Sequence, residues 1–429
     1  MSEQYNSLRD FESIMKFSVL LPTRNRLEYL KYALASVMEQ DYTNWEVIVS
    51  DNCSEDDVEG YVQSLSDSRI KYYRTSAFLP VTDNWNNALE KSSGDYVVML
   101  GDDDSLLNGY FRICASLIEQ HQQPDLIYNS AMQYTYPNVL QGMNEGNLIK
   151  PWYASFLVGK ESPFILEKNE AYELVRTTLN FNVVVNFNAQ HSLVSRSLIK
   201  KMQVHGKFYQ SPYPDYYTTI AMLLTSARTL AVPYPLIIIG ISPKSFGCLF
   251  MNDREKEGMQ FLQYLHDKTI YTKVSKWLFP GTDMNTSWLM AMETVRQNFS
   301  KDYNLKVNYR KYRFLQILHG LRKIVCNRKL QKDDLLDFSK SLFWWEKILY
   351  FTPFLLACFI RKFQAASFVK ALANTMPYRF SHASHGKTLI LPGKYNNILE
   401  VFQNVKIDKT LISTRHIPVP LRSRQKRLY

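Results

Sequence analysis

The chain has 429 residues, 46% of them hydrophobic and 14% aromatic, which excludes wholesale disorder and leaves room for two or three domains with a large core. Its formal charge of +11 is concentrated at one end: residues 361–429 carry 13 Lys and Arg against 2 Asp and Glu, whereas the preceding 360 carry 38 of each. Five scattered cysteines with no Cys-x-x-Cys pair indicate neither a disulfide framework nor a zinc site, and their odd number fits a reducing compartment.

The N-terminus, Met1-Ser-Glu-Gln-Tyr5, lacks a basic n-region and an apolar h-region, so no secretory signal is expected. Phe17 to Pro22 reads as a short strand and Thr23-Arg24-Asn25-Arg26 as a polar loop. Apolar residues at helical spacing follow between Tyr29 and Gln40. Trp45 to Val49 is a second predicted strand, with Asp51 at its C-terminal end and Ser54 placed to cap a helix. Arg69 to Tyr73 is a third strand and Asp83 to Ser93 a helix. Strands alternating with helices predict an α/β fold with an open, mostly parallel sheet flanked by helices. There is no GxGxxG and no GxxxxGK[ST], so neither a dinucleotide fingerprint nor a P-loop accounts for this half.

Tyr96 to Leu100 is the fourth strand, apolar on both faces, and runs directly into Gly101-Asp102-Asp103-Asp104. Three adjacent carboxylates at a strand end repel and raise one another's pKa. Two readings account for them: a solvated turn whose Asp104 caps the next helix, or ligands for Mg²⁺ or Mn²⁺. The position favours a ligand, because open α/β sheets bind outside the carboxyl ends of their strands. Tyr110 to His121 is a helix and Leu126 to Tyr128 a strand; a Gly/Asn-rich loop surrounds Gln141 to Asn147. A strand pair is expected at Asn182 to Val185 and His191 to Val194. Ser211-Pro-Tyr-Pro-Asp215 is a rigid turn that sets Asp215 at a helix start, either as a favourable N-terminal charge or as a general base. Ala231 to Ile241 is a buried strand or strand pair, ending in a loop that carries Lys244.

From about Met251 longer helical stretches take over, giving a division into 1–250 and a basic, mainly helical 251–429. Within the latter, Ile348 to Ile360 is charge-free but only 13 residues long. Spanning a bilayer takes roughly 20, so this run is either a buried helix or an interfacial one at a membrane surface. The basic end carries no recognisable nucleic-acid module, and no nucleic-acid partner is expected.

Taken together, Ser18-Val-Leu-Leu-Pro-Thr-Arg-Asn-Arg26, Val47-Ile-Val-Ser-Asp51-Asn-Cys-Ser54, Asn86-Asn-Ala-Leu, and Gly94-Asp-Tyr-Val…Gly101-Asp-Asp-Asp104 resemble glycosyltransferase family 2, with its GT-A fold, over about Lys16 to Gly247. The resemblance implies an inverting, metal-dependent transferase that moves a sugar from a nucleoside-diphosphate donor, a UDP-sugar first, to a glycan or lipid-linked acceptor. The setting it implies is cell-surface polysaccharide or lipopolysaccharide assembly on the cytoplasmic face of the membrane, with peripheral contact through the C-terminal region. Donor contacts would come from Pro22, Thr23, Arg24, Asp51, Asn86, Asp102 and, from a closing loop, Lys244. The metal, Mn²⁺ or Mg²⁺, would sit on Asp103 and Asp104, with Asp215 as catalytic base. The family's Asp-x-Asp is shifted here, with Gly101 where a first Asp commonly stands, so which of the three acids holds the metal is open. A sugar nucleotidyltransferase or a non-catalytic sugar-nucleotide or membrane binder are the alternatives.

Overall fold

The computed structural model describes residues 15–139, 144–149, 154–252, 254, 257, 268–326, 332–360, 362–374 and 395–405. Ten strands form one mixed sheet: β1 (Phe17–Thr23), β2 (Trp45–Asp51), β3 (Ile70–Arg74), β4 (Tyr96–Met99), β5 (Ser105–Leu106), β6 (Leu126–Thr135), β7 (Asn147–Ile149), β8 (Phe164–Leu166), β9 (Ser192–Ser195) and β10 (Thr229–Ile241). The spatial order is β3-β2-β1-β4-β9-β6-β10-β5, with β7 on β6 and β8 on β10. β3, β2, β1 and β4 run parallel. β9 is antiparallel to both β4 and β6, and β6 and β10 are again parallel.

Both faces of β1, β2 and β4 are buried, which is why these strands read as largely apolar runs. Alternation sorts the side chains: Val19, Leu21, Val47, Val49 and Val98 face one layer, and Leu20, Ile48, Val97 and Met99 the other. The first layer is covered by α1 (Leu27–Met38), α2 (Val58–Ser64) and α4 (Tyr110–Gln120). The second is covered by α3 (Val81–Glu90), α5 (Lys168–Leu179), α6 (Arg196–Gln203) and α7 (Pro214–Thr225).

Asn182 to Val185 is not a strand. Phe181 turns left-handed (φ 54°) behind α5, and the Val184 carbonyl accepts bonds from the backbone and hydroxyl of Ser155 instead of a sheet neighbour. The valines there meet the helix-side core as a loop wall, with Val185 buried in it. Ala231 to Ile241 belongs to a single strand, β10. Its register slips between Val232 and Ile237 around Pro235, where a proline has no N–H to offer. Of the expected loop at Gln141 to Asn147, residues 141–143 lie outside the described residues and Asn147 opens β7.

The C-terminal helices begin with α8 (Phe246–Met251), α9 (Asp283–Phe299) and α10 (Tyr309–Cys326). Helix α9 lies against α7: Trp288 is fully buried, with its ring 4.5 Å from that of Tyr216 and 5.4 Å from that of Phe187. After a turn of α-helix at Trp344–Glu346 and a π-helical turn at Lys347–Phe351 come α11 (Thr352–Ile360) and α12 (Lys362–Asn374). Phe351 and Phe354 join Ile317, Leu321 and Val369 in a separate small core. No described helix is long and apolar enough to cross a membrane. Arg361 and most of the basic tail, 375–394 and 406–429, lie outside the described residues.

Candidate active site

Strands β1, β2 and β4 end side by side, with Thr23 opposite Asp51 and Leu20 opposite Met99. Asp51 is wholly buried. It accepts from the Tyr72 hydroxyl (2.7 Å), Arg74 Nη1 (3.2 Å) and the Ser54 amide (2.9 Å), so it organises the loop that follows it. That loop is tied to the one after β1. The Asn25 amide donates to Ser54 Oγ (3.0 Å), and the Glu55 amide donates to Asn25 Oδ1 (2.7 Å). Asn25 and Cys53 both take left-handed backbone (φ 52° and 58°), a conformation asparagine tolerates and cysteine holds only under constraint. Arg24 lies over the Phe78 ring at 4.1 Å, Pro22 stands opposite Ser50, and Lys244 reaches back to donate to the Asn25 carbonyl (2.7 Å). Pro22, Thr23, Arg24, Asp51 and Lys244 thus gather around two linked loops. Asn86 does not join them: its buried amide brackets the backbone of Tyr209, accepting from the N–H (3.2 Å) and donating to the carbonyl (2.9 Å).

All three acids of the triplet are buried; Asp102 and Asp103 share Arg26, and Asp104 has partners of its own. Asp102 accepts from Thr23 Oγ1 (2.8 Å) and pairs with Arg26 Nη1 (2.7 Å). Asp103 uses Oδ2 for Arg26 Nη2 (2.6 Å), the Ser242 hydroxyl (2.7 Å) and the Ser242 amide (3.3 Å). Asp104 accepts three bonds: Oδ1 takes the Gly240 amide (2.7 Å), and Oδ2 takes the Gly101 amide (2.9 Å) and the Gln190 side chain. Burial raises Asp102 to about 6, with Arg26 opposing and Asp103 adding. Burial and the charge of Asp103 carry Asp104 up to about 8. Burial works against the Arg26 cation as well, but the three carboxylates outweigh it and its pKa rises.

Asp103, Asp104 and Asp215 all line one cavity of about 320 Å³. The apolar lining includes Trp85, Met132, Tyr213, Tyr216 and Phe246, with Asn186, Gln190 and His191 as polar points. Asp215 lies in the first turn of α7, where its Oδ1 accepts from the Tyr216 amide (3.0 Å). Burial raises its carboxyl to about 7 despite that bond. His191 is held neutral, pushed down to about 4 by burial, with Nδ1 facing the Asn129 carbonyl at 2.8 Å.

Among the described residues no three His, Cys, Asp or Glu side chains are grouped to cage a metal ion. The donor set does suit a cation shared with a diphosphate, since Mg²⁺ is commonly held by one or two carboxylates plus substrate phosphates. Every hydrogen bond to Asp103 from the described residues falls on Oδ2, which leaves Oδ1 for a metal. Asp104, expected beside it as a ligand, has both oxygens engaged by N–H donors, which tie the turn to β10.

Residues not singled out from the sequence complete the site. Arg26 sits inside the quoted N-terminal motif, and three neighbouring acids require a counter-charge, so a signal for it existed. Gln190, Ser242 and Trp85 gave none, because only the fold brings them to the triplet or the cavity. Gly240 is a further case: a Cβ there would meet the Asp103 carbonyl oxygen at 1.7 Å. Gly240→Ala is expected to lower stability by about 1–3 kcal/mol through overpacking, read as a fall in Tm. Gly247→Ala, whose Cβ finds its nearest neighbours at 3.5 Å, should stay within about 0.5 kcal/mol.

Residues 18–166 match the family described as Glycosyl transferase family 2. The chain is 43% identical over 97 residues (22% of this chain, 31% of the relative) to the GalNAc(5)-diNAcBac-PP-undecaprenol beta-1,3-glucosyltransferase of Campylobacter jejuni. It is 23% identical over 244 residues (51% and 96%) to the UDP-Glc:alpha-D-GlcNAc-diphosphoundecaprenol beta-1,3-glucosyltransferase WfgD of Escherichia coli. The match to the Campylobacter protein spans about a third of that protein's length. Among solved structures, S. aureus TarS 1-349 in complex with UDP-GlcNAc aligns with a TM-score of 0.46 at 14% identity, covering 89% of this chain and 98% of that one.

Proposed function

We propose, from the match of residues 18–166 to Glycosyl transferase family 2, that the chain transfers a sugar from a UDP-sugar to a hydroxyl of a glycan or lipid-linked acceptor with inversion at the anomeric carbon. The observation that carries this reading is that Asp103 and Asp215 line the same cavity. Asp215 takes the proton of the acceptor hydroxyl as its oxygen attacks the sugar carbon, and the bond from that carbon to the diphosphate breaks on the opposite face. The apolar walls around Trp85 and Tyr213 exclude water that would otherwise compete as acceptor. Thr23 and Arg26 hold Asp102 and Asp103 in place before any donor arrives, and Pro22, Thr23, Arg24, Asp51, Asp102 and Lys244 border the donor side. Mn²⁺ or Mg²⁺ on Asp103 would supply charge neutralisation for the departing diphosphate. The WfgD and Campylobacter relatives, named for undecaprenol-diphosphate-linked substrates, support a lipid-linked acceptor in cell-surface polysaccharide assembly, and WfgD supports UDP in the donor. Residues 1–250 would carry the transferase machinery, backed by the helix that ends at Phe299, and the remainder of the basic, mainly helical 251–429 would meet the inner face of the cell membrane.

A thermal-shift panel of nucleotide sugars with Mn²⁺ tests this. One UDP-sugar should raise Tm only when Mn²⁺ is present, as a ligand at 100 times its Kd adds about 2.7 kcal/mol. Asp103→Asn should abolish the Mn²⁺-dependent part. A shift that survives in Asp103→Asn rejects the metal assignment, and no shift with any nucleotide sugar rejects the donor class.

A further inference from the structure

Helix α11 is apolar around its whole circumference, and only part of that circumference is covered. Phe354 is fully buried, and with Phe351 it packs into the small core beside α10 and α12. The opposite side presents Leu355, Leu356 and Phe359, the last 95% exposed, at the i, i+1, i+4 positions of one helical face. The stripe continues backwards through the π-helical turn to Ile348 and Leu349 and ends on Trp344, 75% exposed. A helix hydrophobic all round belongs in a protein interior or against lipid, and a contiguous exposed apolar strip marks a surface with a partner.

Charge identifies the partner. Between Ser341 and Asn374 the sole acid is Glu346, which is buried and paired with Arg313, so this stretch itself carries no free negative charge. The same stretch has four basic residues, Lys347, Arg361, Lys362 and Lys370, and the sequence beyond 361 is overwhelmingly cationic. A second copy of the chain would bring an equally cationic surface against it and be repelled. An anionic bilayer offers apolar depth and negative headgroups together. The strip is too short to span, since the charge-free run of 13 residues falls short of the roughly 20 required.

We propose that the Trp344–Phe359 face seats in the surface of an anionic lipid bilayer and anchors the chain there. This anchoring needs neither donor nor metal, so it stands or falls apart from the transfer reaction. The test is co-sedimentation of the full chain with vesicles of phosphatidylcholine alone or mixed with phosphatidylglycerol, without nucleotide. Binding is expected to the mixed vesicles, weakening as salt is raised. Leu356→Ser with Phe359→Ser should cut the partition coefficient by roughly tenfold or more, since withdrawing each large apolar side chain is worth about a tenfold change. Both residues are exposed, so the double variant should keep the parent's Tm, which separates lost anchoring from lost folding. Undiminished vesicle binding by a folded double variant overturns the proposal, as it leaves the attraction to charge alone. So does a folded parent that ignores both vesicle types, or a parent dimer in light scattering that the double variant abolishes.

Discussion

Asp215→Asn is expected to lower kcat by roughly 10²–10⁴-fold while leaving donor-induced thermal shifts intact, the loss typical of a missing general base. The base must be ionised to work, and its carboxyl is raised to about 7. Activity of the parent should therefore climb with pH through about 7 and then level off, and that limb should vanish in the variant. The same shift has a stability consequence of opposite sense. A carboxyl whose pKa is higher folded than unfolded binds more protons in the native state, so stability falls as pH rises from the ordinary Asp value through about 7. Removing the charge removes that penalty, and Asp215→Asn should melt higher than the parent at pH 8 though it scarcely turns over. A catalytic group kept at a cost in stability is expected where function requires a buried charge. A variant that melts lower at pH 8, or retains full kcat, rejects the assignment.

The second large effect is expected far from the cavity. Arg313 is essentially buried. Its guanidinium meets Glu346 through two N–H groups and donates to the carbonyls of Ser341 (2.9 Å), Leu278 (3.2 Å) and Trp277 (3.3 Å). The rings of Phe279 and Phe343 lie 4.6 and 4.1 Å from its centre. Glu346 in turn accepts the Phe343 amide at 2.9 Å. Arg313→Met leaves a buried carboxylate without its cation and should cost about 3–5 kcal/mol. Adding Glu346→Leu should recover part of the loss, because the orphaned charge is gone. Recovery is incomplete, since three carbonyls still lack their donor. Chemical denaturation of the two single variants and the double variant measures both steps. A single variant within 1 kcal/mol of the parent would mean that water reaches the site.

The parallel half of the sheet was legible because β1, β2 and β4 are each buried on two faces and flanked by polar turns. Asp215 could be assigned to a helix start from Pro214 alone. Asn182 to Val185 misled because three consecutive valines suit a strand, and nothing local reveals that Phe181 turns left-handed and Ser155 captures the Val184 carbonyl. The acids at the end of β4 were legible as a site, but their division of labour was not. Asp104 is separated from Asp103 only by which oxygens meet the amides of Gly101 and Gly240, and Gly240 lies 136 positions downstream of Asp104. Glu346 read as an interruption of an apolar run. Its partner, 33 positions upstream, makes it the clasp of that run.

The indole of Trp288, wedged between Phe187 and Tyr216, bears on where the chain can be cut. A recombinant fragment ending near residue 250 would retain every motif by which the front half is recognisable. It would also strip the backing from the helix on which the proposed base rides, baring aromatic rings to solvent. Such a fragment should aggregate during expression or lose the base's alignment, and a minimal catalytic unit has to extend at least through Phe299.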